Sequence, residues 1–350
     1  MKKNIALLFG GVSTEHEISI KSAEFIFRTL DKEKYNIKLI YIDRNNLWNI
    51  PAEFDNQYPD IKSIFGFHPQ NQIAFEFRKE FLRLNPISTI PQTEALKNID
   101  IMFLGLHGGD GENGKLQAYL DFQNISYTGS GFLASAVAMD KEKSNLIFQA
   151  SGFQVAKFLN LRKSDFSSFG TATFLLSFPV FIKPNSGGSS VGVSKVKNFD
   201  DLKNKCEKLF ESEEEILIQE FILGTEVSCG VLENANREIQ KLYPTEIIPE
   251  NEFFDYEAKY ILGKSKEITP AQISPALTEE IRSLAEKAHR VLGCKGYSRT
   301  DFIIQDNIPY ILETNTLPGM TETSLIPEQA KYSGISMKDV FDNLISLAEK

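Results

Sequence analysis

The sequence predicts an α/β fold that opens on a parallel sheet and passes into units of paired strands. Three observations carry this. Apolar runs at Ile5-Phe9, Ile37-Ile42 and Ile99-Leu104 alternate with a helix-length stretch, the pattern of strands joined by crossover helices. Residues 179–196 read strand, glycine-rich loop, strand. Residues 296–325, GYSRTDFIIQDNIPYILETNTLPGMTETSL, carry two apolar runs around the turn signal Asp306-Asn307, which is a β-hairpin.

At 350 residues the chain is long enough for two or three domains. Its 42% hydrophobic and 24% charged residues are those of a globular, soluble protein. A net charge of -9 argues against general binding of nucleic acid or anionic membrane, though a local basic pocket for a nucleotide fits within it. Cys206, Cys229 and Cys294 stand apart with no CxxC, which reads as reduced thiols in a cytoplasmic protein. The apolar run in MKKNIALLFGG is too short for a signal peptide, and no run approaches the ~18 residues of a membrane helix.

Taken in order, Ile5-Phe9 is a buried strand, Gly10-Gly11 its turn, and a helix runs from about Thr14 to Leu30 with Thr14 and Glu17 as a capping box. Ligands of parallel sheets bind beyond the C-terminal ends of the strands, and Glu15 and His107 both follow such ends. Alone, Glu15 is a first-turn carboxylate favoured by the helix dipole, and His107 a loop histidine. Residues 44–97 read as an insertion of short strands. HGGDGENGKLQ, from His107, is a glycine-rich loop entering a helix, able to turn N–H groups towards an anion. Helix-like Asp140-Ala150 carries Lys141. Strand Pro179-Lys183, the loop PNSGGSSVG and strand Val191-Val196 follow. The lysine precedes the glycines and a strand follows them, so this is no Walker P-loop. It still has what covers a phosphate: close backbone approach, N–H donors and the point charge of Lys183. Its bland reading is an exposed hairpin. Strand Ile216-Ile218 leads into QEFILGTE, whose segment Glu220-Phe221-Ile222-Leu223 offers backbone and apolar surface to a purine and whose Glu226 suits a ribose; without context these are a strand edge and a solvated carboxylate. Residues 246–270 are a long, charged, aromatic loop of the kind that forms a lid. Helix Thr278-Leu292 precedes the hairpin, and Met337-Leu347 is a terminal helix.

With the hairpin turn centred on Asn307, Asp301 opposes Glu313 and Arg299 opposes Asn315. All four then share one face. Adjacent carboxylates repel unless a cation lies between them, and Asp, Glu and Asn oxygens suit Mg²⁺ or Mn²⁺ rather than zinc. A hairpin with charged ends in water is the plain alternative, since register can slip by one.

GGVSTEHEIS, LHGGDGENG, MDKEKS, IKPNSGGSSVG, QEFILGTE, DYEAKY, RTDF and ETNTLPGMTETSL, in this order over nearly the whole chain, resemble the D-alanine–D-alanine ligase family of the ATP-grasp superfamily. The resemblance implies an ATP-grasp fold with an N-terminal Rossmann-like (pre-ATP-grasp) α/β domain. It divides the chain into a substrate-binding domain (1–130, insertion 44–97), a central ATP-grasp lobe (131–219) and a C-terminal lobe (220–350) with the metal site and the lid 246–270. It implies ATP-dependent joining of two D-alanines through a D-alanyl phosphate for peptidoglycan synthesis, in a cytoplasmic homodimer whose partners are D-alanine and ATP, not nucleic acid or membrane.

By the same resemblance, Lys141 and Lys183 hold ATP phosphates, Glu220, Phe221, Ile222 and Leu223 read adenine, Glu226 holds the ribose, and Lys259 reaches the transferred phosphate. Asp301, Glu313 and Asn315 bind two Mg²⁺ (or Mn²⁺). Glu15, Ser189 and Tyr260 form a hydrogen-bonded triad that places the first D-alanine, with His107 near it. Ser324 and Leu325 contact the second, while Arg299 and the Gly319 backbone face the oxyanion. The sequence departs from compact relatives at 44–97 and at the lid tip Leu262-Glu267. Tyr260 favours an amine as nucleophile. The alternatives are D-alanyl-D-lactate or D-alanyl-D-serine formation on the same fold, or a non-catalytic nucleotide-binding module.

Overall fold

The computed structural model describes residues 2–51, 54–58, 60–61, 65–66, 76–77, 81–84, 96, 98–172, 174–188, 192–249 and 265–349. Three sheets of four to six strands organise them.

The first sheet contains β1 (Lys3–Gly10), β2 (Tyr35–Ile42), β3 (Trp48–Pro51), β6 (Phe81–Leu84), β7 (Ile101–Leu104) and β8 (Ser126–Tyr127), in the order β6-β3-β2-β1-β7-β8. Its centre, β2-β1-β7-β8, is parallel as the alternation of strand and helix requires. Ile5 to Phe9 are fully buried, which explains an unbroken apolar run instead of an alternating one. The insertion supplies short strands, as expected: β3 and β6 extend the sheet antiparallel, while β4 (Phe65–Gly66) and β5 (Glu76–Phe77) pair with each other.

Helix α1 (His16–Thr29) packs on β1. The Thr14-Glu17 capping box does not form. Glu15 holds the N-cap position with no side-chain cap bond, and the Glu15 N–H donates instead to Ser13 Oγ at 3.2 Å. Glu17 is drawn away into an ion pair with Arg44. Gly10 makes the turn into this helix at φ +94°, where any Cβ would lie under 3.0 Å from the Ile42 carbonyl.

Short helices α2 (Gly109–Glu112), α3 (Lys115–Phe122), α4 (Phe132–Met139) and α5 (Lys141–Ala150) lead to the second sheet. That sheet is antiparallel, β11-β10-β12-β9, from β9 (Phe158–Arg162), β10 (Val180–Pro184), β11 (Ser194–Val196) and β12 (Glu215–Glu220). Helix α6 (Phe199–Leu209) covers it with Leu202 and Cys206, capped by Asn198, which accepts from Asp201 N–H at 2.9 Å.

The third sheet runs β16-β15-β13-β17-β18, with β14 (Ile239–Lys241) also on β13. Its other members are β13 (Thr225–Glu233), β15 (Thr245–Pro249), β16 (Ser265–Ile268), β17 (Tyr297–Gln305) and β18 (Ile308–Asn315). The stretch read as one long loop over 246–270 therefore begins and ends in paired strands, β15 against β16. Helix α7 (Pro275–Val291) seals the sheet with Ile281, Ala285 and Ala288; Ser274 caps it by accepting from Leu277 N–H at 3.3 Å.

The last two helices, α8 (Leu325–Tyr332) and α9 (Met337–Ala348), return to the start of the chain. Phe341 of α9 packs edge-on against Phe103 of β7 at 5.4 Å, and Leu317, Met320, Ile326, Leu344 and Ile345 complete the core that β1 begins. The cysteines are free and buried, and burial pushes each thiol up to about 12, leaving them as unreactive core residues. Among the described residues no helix is long and apolar enough to cross a membrane.

Candidate active site

The hairpin brings its four polar residues together. Asp301 pairs with Glu313 and Arg299 with Asn315. The loop is the two residues Asp306 and Asn307, both at positive φ (51° and 61°), so Gln305 pairs with Ile308 and Phe302 with Ile311. That register would set Asp301 opposite Leu312. A bulge between Asp301 and Phe302 leaves Leu312 unpaired and shifts the register by one, which delivers Glu313 to Asp301's face. The expected pairing therefore holds at the polar end only.

Asp301 is held tightly. Arg299 donates to both its oxygens at 3.0 Å, Asn315 donates at 3.2 Å, and Ser228 on the neighbouring strand β13 donates from its hydroxyl. The donor set of two carboxylates and one amide oxygen fits a hard divalent cation, which would share Asp301 with the guanidinium. Among the described residues no group of three or more His, Cys, Asp and Glu side chains could hold a metal, and the set here has two carboxylates with the Asn315 amide as its third member.

These residues line a cavity of about 440 Å³ with Glu15, Lys141, Gly319, Ser324 and Leu325. Its walls come from all three sheets' neighbourhoods. Glu15 leaves the N-terminus of α1 and lies against Gly108 and near Gly188. Lys141 opens α5 and donates from Nζ to the Gly187 carbonyl, while its N–H meets Asn185 O at 3.0 Å. Asp140 caps this helix for Lys143 N–H at 3.0 Å. Ser324 does not cap α8; its Oγ is bonded with the Thr321 hydroxyl at 2.7 Å. Glu267 and Glu328 also line the cavity, and burial first, then for Glu267 the charge of Glu328, pushes both carboxyls above the ordinary range.

Apart from Lys141, the described residues expected to hold the nucleotide lie elsewhere. Lys183 on β10 donates to Gln219 Oε1 at 3.0 Å. Glu220 ends β12, Thr225 begins β13, and Phe221 to Leu223 form the crossing between the second and third sheets. Phe221 lies edge-on to Phe181 at 5.5 Å and beneath Lys195 Nζ at 3.8 Å from its centroid. Leu223 is 71% exposed, and Glu226 follows on β13 beside Ile303. None of Lys183, Glu220 to Leu223 and Glu226 lines the 440 Å³ cavity. Ser189, Lys259 and Tyr260 fall outside the described residues.

His107 lies in the loop beside Gly108, which flanks Glu15. It is 3% exposed and lines a second, largely apolar cavity of about 370 Å³. Both ring nitrogens are engaged, Nδ1 with Leu317 O and Nε2 with Ser22 Oγ, each at 2.8 Å. The sequence reading also passed over Glu112. In a loop of glycines and acids it looks solvated, yet it is buried and lines the cavity. Burial and the charge of Glu15 push its carboxyl up, against the pull of N–H donors from Leu317 and Gly108.

Models of two parts of one family match the chain: D-ala D-ala ligase N-terminus over residues 4–130, and D-ala D-ala ligase C-terminus over residues 147–346. A D-alanine–D-alanine ligase of Leptospira biflexa is 47% identical over 353 residues, covering 99% of each chain.

The chain belongs to the D-alanine–D-alanine ligase family.

A ligase of the same name from Leptospira interrogans is 48% identical, covering 99% of this chain and 98% of that one. Among solved structures, a D-Ala:D-Ser ligase from Enterococcus faecalis is similar at TM-score 0.85 and 31% identity, covering 99% of this chain and 100% of its own. A D-alanine–D-alanine ligase from Bacillus anthracis, complexed with ATP, is similar at TM-score 0.73 and 29% identity, covering 99% and 97%. The fold is the ATP-grasp fold of this family, and the chain is an enzyme of the ligase class.

Proposed function

We propose that the chain joins two D-alanines to D-alanyl-D-alanine at the expense of ATP, for peptidoglycan precursor synthesis. One observation carries the reading: a single cavity holds the Asp301-Glu313-Asn315 set, Arg299, Glu15, Lys141, Gly319 and Ser324.

A carboxylate is a poor acyl donor. In the proposed sequence a carboxylate oxygen of the first D-alanine attacks the γ-phosphorus, the bond to the bridging oxygen breaks, and ADP leaves. Lys141, Lys183 and Lys259 offset the anions that must meet. Two Mg²⁺ (or Mn²⁺) held by Asp301, Glu313 and Asn315 would neutralise phosphate charge. Glu15, with Ser189 and Tyr260, orients the first amino acid. The deprotonated amine of the second, placed by Ser324 and Leu325, attacks the acyl carbon. Arg299 and the Gly319 N–H take the oxyanion. The carbon–oxygen bond to phosphate then breaks and phosphate leaves. Adenine lies on the crossing from Glu220 to Leu223, and the ribose on Glu226. His107, held by Leu317 O and Ser22 Oγ, lies near the first amino acid.

The division into 1–130, 131–219 and 220–350, a cytoplasmic location and a homodimeric state belong to the same proposal. Size-exclusion chromatography should give about twice 39.5 kDa. The deciding experiment offers ATP with D-alanine, D-serine and D-lactate together and identifies products by mass. D-alanyl-D-alanine with one phosphate per bond is expected; a main product carrying D-serine or D-lactate would overturn the specificity.

A further inference from the structure

The Glu112 carboxylate accepts three backbone hydrogen bonds. Its Oε1 takes the N–H groups of Thr316 and Leu317, both at 3.0 Å, and its Oε2 takes Gly108 N–H at 3.1 Å. The donors lie some two hundred residues apart in sequence. Gly108 flanks Glu15, since a Cβ there would fall under 3.0 Å from its carboxylate. Thr316 and Leu317 follow Asn315, the last of the candidate metal ligands. His107 clamps the same place from the other side: its Nδ1 is bonded with Leu317 O at 2.8 Å, and Ser22, bonded to its Nε2, also accepts from Met320 N–H at 3.3 Å.

We infer that Glu112 is a positioning residue, which fixes the spacing between the amino-acid side of the cavity at Glu15 and the end of β18 that carries Glu313 and Asn315. The inference rests on the ligase reading for its kinetic consequence. Its structural consequence stands alone. A carboxylate serves this place because it offers acceptors on both oxygens and no donor. An amide of the same shape keeps one acceptor oxygen and turns an NH₂ group towards the third N–H. That leaves a buried donor facing a donor.

The test is Glu112→Gln, read in two ways. Amide hydrogen exchange of the substrate-free chain should quicken about tenfold at Gly108, or at Thr316 and Leu317, whichever side meets the NH₂ group, while β10 and β12 stay unchanged. The Michaelis constant for D-alanine should rise about tenfold with that for ATP unchanged. If Glu112→Gln does not fold, Glu112→Asp, one methylene too short to span the donors, carries the same two expectations. Unchanged exchange at all three amides, or a uniform increase along the chain, would overturn the positioning role. Wild type that forms no dipeptide would sink the ligase reading and leave the exchange result to decide the strut.

Discussion

Asp301 and Glu313 face one another because Leu312 between Ile311 and Glu313 has no partner across the hairpin. Were Leu312 instead paired with Asp301, Glu313 would lie on the opposite face of the sheet.

Glu313→Gln should therefore lower turnover at least a hundredfold, about 3 kcal/mol of barrier, with the melting temperature nearly unchanged, because among the described residues Glu313 accepts no side-chain hydrogen bond of the fold. Asp301→Asn should lose activity and stability together. It leaves Arg299, whose side chain is 17% exposed, without the carboxylate it clamps. Breaking such a pair costs about 3 kcal/mol. Melting curves and steady-state rates of the two variants check the contrast; two equally stable variants would contradict it.

Gly224→Ala should disturb the crossing between the second and third sheets. The added Cβ would lie under 3.0 Å from the Ile304 carbonyl, in the first step of β13 against β17. We expect a loss of about 2 kcal/mol in chemical denaturation and a raised Michaelis constant for ATP, since Glu220 to Leu223 lead directly into this glycine.

Asp140 predicts a dependence on pH. Burial alone would raise its carboxyl, but hydrogen bonds from Lys143 and Asn185 outweigh it and hold the value below the usual 3.8. A depressed folded value means that the contribution is complete above the unfolded value and is lost as pH falls through the folded one. Asp140→Ala should cost about 1 kcal/mol at neutral pH, as loss of a helix cap does. That difference should hold down to about pH 4 and shrink below it. Denaturation midpoints of both proteins between pH 2 and 7 measure it.

Phe341→Ala should cost about 3 kcal/mol. The ring is fully buried against Phe103 and Phe25, so the damage should appear as faster proteolysis in the N-terminal sheet, far away in sequence.

Much of this was legible beforehand. The parallel strands announced themselves as unbroken apolar runs, and the hairpin through its Asp-Asn turn and the runs beside it. The polar pairing was legible for an incomplete reason: centring the turn on one residue mimicked the combined effect of a two-residue loop and a bulge. Composition carries no sign of Leu312's exclusion, because a bulge follows from strand twist and packing across the whole sheet. The capping box failed for a similar reason. Thr14 and Glu17 have the right spacing, but the helix begins one residue later, with Glu15 at the N-cap, and Arg44 takes the Glu17 carboxylate through a contact that spacing does not record. Glu112 was missed because two of its three donors come from a segment some two hundred residues on.

The last helix supplies the first core. A polypeptide leaves the ribosome N-terminus first, so β1, β2 and β7 emerge while Phe341, Leu344 and Ile345 are still untranslated. Until Phe341 is made, the nascent chain presents the apolar surface of Phe103 and Phe25 to whatever meets it, chaperones included. A premature stop before Phe341 would therefore strike the N-terminal sheet, leaving the oldest part of the molecule unfinished.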